Sequence, residues 1–205
     1  MKKILLTGFE PFLSFKENPS EQIVEFFSNN KINSTEIVGE VLPVDFSKAG
    51  KQIINYIDKH KPDIVLSLGI AKGRAKITPE RIAINCNAGP KDNRGFEPGN
   101  EKIFQDGPDG LFSTLPIQKI VKDLQNNNIP ASISNSAGTY LCNNVMYHSL
   151  YYIHKNELPI QAGFIHLPLS HSLALSEENV PSWSLDDLIK GINLCLSSLT
   201  EARTQ

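Results

Sequence analysis

The feature that most constrains the fold is a set of short runs that are apolar at almost every position. Residues 3–8, 63–69 and 159–167 are such runs, and helix-like stretches separate them. A strand that is apolar on both faces must be covered on both sides, as in a parallel or mixed sheet packed between helices. The pattern therefore predicts an α/β fold, and in such folds ligands bind beyond the carboxyl ends of the strands.

Turn and capping signals predict the order of the elements. Ser20 has the side chain of an N-cap, and Pro116 suits the first turn of a helix. The predicted strands are residues 3–8, 36–44, 63–69, 77–87, 129–133 and 159–167. The predicted helices are residues 21–28, 46–60, 115–126, 145–155 and 185–200, and residues 170–182 are predicted to be loop.

Chain length favours a single domain over residues 1–205, because 205 residues suffice for one full core and do not require two. The exception to the regular alternation is the segment at about residues 88–115, which is rich in glycine, proline and charge. It is too long for an ordinary connection. We therefore expect it to form a functional flap or a hairpin excursion from the domain.

Composition excludes several classes of function. The 20 basic and 22 acidic residues nearly balance, and no basic run suggests nucleic acid. No apolar stretch reaches the roughly 20 residues of a membrane span, and the N-terminal apolar run ends at Glu10, too early for a signal peptide. The three cysteines lack CxxC spacing, which favours free thiols in a reducing compartment over a zinc site. The sequence thus predicts a cytoplasmic protein without a metal or organic cofactor.

A turn between a predicted strand and a predicted helix carries the first candidate for chemistry. Residues 134–144 fill this turn with small side chains, and Cys142 falls at or near the first turn of the helix. The positive end of a helix dipole lowers the pKa of a thiol, and the thiolate is the nucleophile. A free cysteine is, however, more often a small buried hydrophobe, and position alone does not separate the two readings.

His166 is the second candidate, since it ends the apolar run 159–167 one helix and one strand after Cys142. In a right-handed strand–helix–strand unit, both residues can lie at the same edge of the sheet. A cysteine and a histidine there form a thiolate–imidazolium couple, and the histidine later protonates a leaving amine. The structural alternative is a histidine that is simply satisfied at a strand end.

A third group is expected to orient the histidine, as carboxylates do in catalytic triads. Glu80 is the first candidate because it interrupts an apolar strand and needs a partner if buried. Its structural alternative is an ion pair with Arg74 or Arg81. Asp92, in a turn-like stretch at residues 91–95, is the second candidate.

Four motifs occur in order: Leu-Thr-Gly-Phe-Glu-Pro-Phe at residues 6–12, Glu-Arg-Ile-Ala-Ile-Asn at 80–85, Ser-Ala-Gly-Thr-Tyr-Leu-Cys-Asn at 136–143 and Gly-Phe-Ile-His-Leu-Pro at 163–168. Together they resemble the pyroglutamyl peptidase I family of cysteine peptidases, over roughly residues 3–170. The resemblance implies a hydrolase with Cys142 as nucleophile, His166 as acid and base, and Glu80 as the orienting carboxylate.

The resemblance also implies a substrate and an architecture. The substrates would be N-terminally pyroglutamylated peptides, and the protein a three-layer α/β/α sandwich around a mixed, mostly parallel sheet, assembled as a homotetramer or dimer. Phe9 and Phe12 would flank the pyroglutamyl ring. The substrate-binding residues implied in this way are Phe9, Phe12, Asn18, Ile70 and Leu141.

Two departures from the family pattern concern stabilisation of the oxyanion. Ile70 stands where the family often has glutamine, and residues 86–91 replace a stretch with an Ala-Arg pair and are one residue shorter. Loss of one oxyanion donor costs about 10²–10³ in rate, which Lys91 or Arg94 could offset. The alternatives are a divergent, weakly active or non-catalytic member that binds a pyroglutamyl-like ligand, and a phosphorylase with an anion site at residues 69–74. The second leaves the three candidate groups unexplained.

Overall fold

Strands and helices alternate along most of the chain in the computed structural model, which describes residues 2–12 and 15–201. In chain order the strands are β1 (Lys3–Phe9), β2 (Lys31–Ile32), β3 (Thr35–Leu42), β4 (Ile64–Ile70), β5 (Thr78–Pro79), β6 (Ile82–Ile84), β7 (Asn87–Ala88), β8 (Gly99–Glu101), β9 (Gly110–Phe112), β10 (Gln161–Leu167), β11 (Leu169–Ser170) and β12 (Ser182–Trp183). The helices are α1 (Pro19–Phe27), α2 (Ala49–His60), α3 (Ile117–Asn126), α4 (Leu141–Lys155), α5 (His171–Ala174) and α6 (Leu185–Thr200).

The central sheet has six strands in the order β2-β3-β1-β4-β10-β5. The four inner strands pair in parallel, whereas the short edge strands β2 and β5 pair antiparallel to their neighbours. Strands β1, β4 and β10 are buried along their length except at one end residue. The predicted α/β fold with a mixed, mostly parallel sheet is therefore confirmed.

Helices cover both faces of this sheet. Because side chains alternate along a strand, Ile4 and Leu6 of β1 pack with α1, α3 and α6, whereas Leu5 packs with α2 and α4 on the opposite face. The result is the expected three-layer α/β/α sandwich. Within the described part of the chain, no helix combines the length and the apolar character that crossing a membrane requires.

Two predicted strands are corrected by the structure. Residues 77–87 do not form one strand but divide into β5, β6 and β7, because the chain leaves the sheet edge at Glu80 and pairs next with β9 and then β8. Residues 129–133 form no strand and contribute only an isolated bridge from Ala131 to Ile77. Both predictions were wrong because an apolar run does not reveal how many residues find a pairing partner.

Several other details of the elements also differ from the predictions. Asn18, not Ser20, is the N-cap of α1, since its side chain accepts a hydrogen bond from the Ser20 N–H at 3.0 Å. Helix α4 begins at Leu141 rather than at residue 145. The stretch 170–182, predicted as loop, contains the short helix α5 and the ends of the paired strands β11 and β12.

The segment at about residues 88–115 contributes β8 and β9, which pair antiparallel with β7 and β6 respectively. It is tied to the body of the protein by Asn85, whose Nδ2 donates to the carbonyl oxygens of Phe104 at 2.7 Å and Gly107 at 3.1 Å. The Tyr147 hydroxyl on α4 donates to the Pro108 carbonyl at 2.6 Å. These contacts hold the segment against α4.

Candidate active site

Cys142 is the second residue of α4, as the sequence predicted for the first turn. The chain enters the helix through Gly138, at φ +80°, and through Tyr140 in an extended conformation. The Cys142 thiol lies over the end of β4. A Cβ atom added to Gly69 would come within 2.9 Å of Cys142 Sγ and 2.8 Å of the Phe164 ring. Glycine at position 69 therefore makes room for the sulfur.

His166 lies on β10 directly opposite Gly69 of β4, so the histidine and the cysteine reach the same edge of the sheet. Its Nδ1 atom is 2.6 Å from Glu80 Oε1. His166 is 5% exposed and Glu80 is 0% exposed, so this contact is fully enclosed. A carboxylate only accepts hydrogen bonds, so Nδ1 carries the proton and Nε2 is left as the base.

Glu80 makes two of the contacts that the sequence left open as alternatives, one with His166 and one with Arg74. Its Oε1 atom accepts from His166 and also from Arg74 Nη1, at 2.7 Å. Arg81 instead donates to the Asn135 side chain at 2.8 Å. The position of Glu80 is fixed by its backbone N–H, which donates to the Phe164 carbonyl at 2.9 Å.

Asp92, the second candidate, does not contact the histidine. Its two carboxylate oxygens accept hydrogen bonds from the backbone N–H groups of Phe46, Arg94 and Phe96 at 2.9–3.0 Å. Asp92 therefore shapes the turn that follows residue 91, and Glu80 is the carboxylate on His166.

Burial dominates the protonation of the two groups. It raises the pKa of the Cys142 thiol to about 12, the negative charge of Glu80 adds to the increase, and Arg74 opposes it. Burial lowers the pKa of His166, while the hydrogen bond that its Nδ1 donates to Glu80 acts in the opposite direction. The expectation that the helix start lowers the thiol pKa was therefore wrong. Burial of the sulfur penalises the thiolate more strongly than the backbone hydrogen bond at the helix start stabilises it.

A cavity of about 100 Å³ opens beside Cys142. The five residues that the resemblance implied all line it, namely Phe9, Phe12, Asn18, Ile70 and Leu141. Its volume is well below the roughly 300–1,000 Å³ of sites for drug-sized molecules, so it suits one small ring. Val44, Gly69 and Tyr140 also line it and were not predicted. The motif 136–143 already contained Tyr140, but no sequence signal marks Val44.

Aromatic rings form the walls of this cavity. The Tyr140 ring lies 5.3 Å from Phe12 and 5.2 Å from Phe46, measured between ring centroids. Phe9, on another wall, is 6.4 Å from Phe164. The polar atoms of Asn18 are used locally, because Nδ2 donates to the Glu10 carbonyl and Oδ1 accepts from Ser20. The cavity is thus largely apolar, and Asn18 fixes its shape.

The loop that departs from the family pattern packs against the residues just before Cys142. The Ala88 N–H donates to the Thr139 carbonyl at 2.8 Å, and the Tyr140 hydroxyl donates to the Lys91 carbonyl at 3.2 Å. Gly89 has φ +129° and lies against the Tyr140 ring. Among the residues that the structure describes, neither Lys91 nor Arg94 lines the cavity beside Cys142.

The fold and this site define a class. Cys142 and His166 both lie beside Gly69 at the carboxyl edge of an α/β/α sandwich, with Glu80 on the histidine and a small apolar cavity next to the thiol. Hydrolases with a cysteine nucleophile use this set of groups. The family model for pyroglutamyl peptidases matches residues 2–202. The chain belongs to the pyroglutamyl peptidase family, which confirms the resemblance and makes it a peptidase of the cysteine type.

The similarity to individual relatives extends over nearly the whole length of both chains. The chain is 56% identical to a pyrrolidone-carboxylate peptidase of Oceanobacillus iheyensis, over 97% of this chain and 100% of the relative. It superposes on pyrrolidone carboxyl peptidase from Thermococcus litoralis with a TM-score of 0.93 and 42% identity, over 97% of this chain and 93% of that one. Pyroglutamyl peptidase I of Bacillus amyloliquefaciens gives a TM-score of 0.94 and 38% identity, over 98% of this chain and 97% of that one.

Proposed function

We propose that this chain is a cysteine exopeptidase that removes the N-terminal pyroglutamyl residue from peptides. The observation that carries the proposal is the pairing of the Cys142 thiol with a small apolar cavity, next to His166 bound to Glu80 at 2.6 Å. The names of the relatives, pyrrolidone-carboxylate peptidase and pyroglutamyl peptidase, support the same reaction.

In the proposed mechanism, Cys142 Sγ attacks the carbonyl carbon that follows the pyroglutamyl ring. His166 Nε2 takes the thiol proton as the C–S bond forms, then gives it to the leaving amine as the C–N bond breaks. The thioester that remains is cleaved by water, whose proton passes to Nε2 and back to sulfur. Because burial disfavours both charged forms at rest, the proton moves during attack and not before it.

The start of α4 supplies a donor for the oxyanion. Tyr140, the N-cap of α4, makes no side-chain capping hydrogen bond within the described part of the chain. In the proposed mechanism the Cys142 N–H, which lies in this first turn beside its own sulfur, binds the negative oxygen of the tetrahedral intermediate. Glu80 holds the His166 ring in the correct tautomer and stabilises the imidazolium that forms.

The cavity explains why the substrate would be a lactam. A pyroglutamyl ring is flat and uncharged, so it gains from the faces of Phe9, Phe12 and Tyr140. An open glutamyl terminus carries an ammonium and a carboxylate, and burying an ion without a partner costs several kcal/mol. The apolar lining thus selects the cyclised terminus.

This selection gives the direct test of the proposed function. We expect the protein to hydrolyse a pyroglutamyl-coumarin amide at least about 10²-fold faster, in kcat/KM, than the glutamyl-coumarin amide. The two amides release the same fluorophore and differ only in ring closure. Equal turnover of both, or of neither, would contradict the proposal.

The aromatic walls give a second test. Replacing Phe12 by alanine removes one face of the proposed ring site, and we expect pyroglutamate to inhibit about 10-fold more weakly. Alkylation of Cys142 by iodoacetamide should keep its wild-type rate, because Phe12 takes no part in proton transfer. Phe26→Ala is the matched control, since that ring on α1 is 56% exposed and does not line the cavity. Equal inhibition of wild type and Phe12→Ala would place the ring elsewhere.

Cell compartment and assembly belong to the same proposal. Cys86, Cys142 and Cys195 are free, which supports a reducing compartment such as the cytoplasm. Assembly as a homotetramer or dimer, which the family resemblance implies, stays a prediction.

A further inference from the structure

We infer that Arg74 is a positioning residue for the reaction proposed above: from the loop after β4 it holds Glu80 as a charged acceptor for the His166 Nδ1 proton. The inference rests on the proposed function, because it assigns a role within that mechanism. It goes beyond the Cys142, His166 and Glu80 set, in which Arg74 entered only as a structural alternative.

Arg74 contacts two residues that are themselves next to His166, namely Glu80 and Thr78. Its Nη1 atom donates to Glu80 Oε1, the same oxygen that receives the His166 Nδ1 proton. It also donates to the Thr78 hydroxyl. Thr78 pairs with His166 between β5 and β10, and its hydroxyl is 3.4 Å from the His166 carbonyl oxygen. One guanidinium therefore fixes the carboxylate and touches the strand that flanks the histidine.

Charge and burial explain why Glu80 needs this partner. Glu80 is 0% exposed, and its second oxygen, Oε2, accepts no hydrogen bond from the described residues. A buried charge without a compensating partner is costly, so an ionised Glu80 needs a cation beside it. Arg74 is such a cation, because a guanidinium stays charged in proteins. Its side chain is 27% exposed, so its own charge keeps contact with solvent.

The expected effect on pH dependence has a definite sign. Glu80 and Arg74 are the charged groups that act on the pKa of His166 and on the pKa of Cys142. The positive charge of Arg74 is one cause of the lowered His166 pKa, so its removal lets the ring keep a second proton, on Nε2, up to higher pH. A histidine that carries this second proton cannot act as the base. The acid limb of kcat/KM must therefore move to higher pH.

The experiment compares Arg74→Met with Arg81→Met, which removes the same charge one residue from Glu80 but leaves the His166 contacts in place. We expect Arg74→Met to lose about 10²-fold in kcat/KM at pH 7, with recovery at higher pH. The pH profile of Cys142 alkylation by iodoacetamide should shift in the same direction. Arg74→Lys, which keeps the charge, should restore the acid limb. Arg81→Met should keep both wild-type profiles.

Either of two results would overturn the inference: profiles of Arg74→Met that superpose on the wild type, or an equal shift in Arg81→Met. If Arg74→Met does not fold by circular dichroism, Arg74→Gln takes its place, since glutamine keeps a donor for Thr78. The alkylation profile needs no substrate. Failure of the protein to cleave the pyroglutamyl amide would therefore contradict the proposed function, while the alkylation measurement would still test the role of Arg74.

Discussion

Replacing Cys142 by alanine is expected to lower kcat for a pyroglutamyl-coumarin amide by about 10⁴-fold or more, because the sulfur is the atom that bonds to the substrate carbonyl. The fold should survive. Alanine is the best helix former and position 142 lies in the first turn of α4, so the substitution removes a side chain without disturbing the helix. The measurement is turnover of the amide together with the thermal midpoint of unfolding. Activity within about 10-fold of the wild type would contradict the mechanism.

Two further variants isolate the role of the sulfur. Cys142→Ser keeps the size of the side chain but replaces the thiol by a much weaker acid, and we expect nearly the same loss as in Cys142→Ala. Cys86→Ala is the matched control, because Cys86 is also free and partly buried but does not line the cavity. It should leave turnover unchanged. A loss in Cys86→Ala equal to that in Cys142→Ala would point to a general effect of cysteine removal.

The inner part of the fold could be predicted because its information is local. Strands β1, β4 and β10 are apolar on both faces, and their sequence alone shows that both faces are buried. Helix α6 was predicted with its observed limits, 185–200, because its apolar positions repeat at helical spacing, and in the structure Ser184 caps its start. The edges were not predictable in this way. Strand β5 has two residues, and its pairing with β10 depends on a partner distant in sequence.

The residues of the candidate site also divide into those that the sequence could predict and those that it could not. Cys142 stood out at a helix start, His166 at the end of an apolar run, and Glu80 because it interrupts one. Val44 could not be found, because it belongs to the cavity only through the packing of elements that are far apart in the chain. The thiol pKa was missed for the same reason. The helix start was visible in the sequence, but the burial that outweighs it arises where the sulfur lies beside Gly69 of β4, a contact between distant parts of the chain.

The second large expected effect is the loss of kcat in variants of His166 and Glu80, and in particular how the two losses combine. His166→Ala removes the base, and we expect a loss of about 10⁴-fold or more in kcat. Glu80→Gln keeps the shape of the side chain but allows the wrong tautomer of His166, as the amide can donate as well as accept, and we expect about 10²–10⁴-fold. Each loss is measured on the pyroglutamyl amide at one pH.

The double variant decides whether Glu80 acts through the histidine. Once His166 is gone, Glu80 has no ring to orient, so His166→Ala with Glu80→Gln should be no slower than His166→Ala alone. Independent roles would instead multiply the two losses, and a product of the single effects would assign Glu80 to a structural ion pair with Arg74.

The dependence on His166 also extends to the reactivity of the sulfur. Because burial holds the Cys142 pKa at about 12, the thiol depends on His166 Nε2 to lose its proton. Alkylation of Cys142 at pH 7 should therefore slow in His166→Ala, although alkylation does not involve the amide substrate at all.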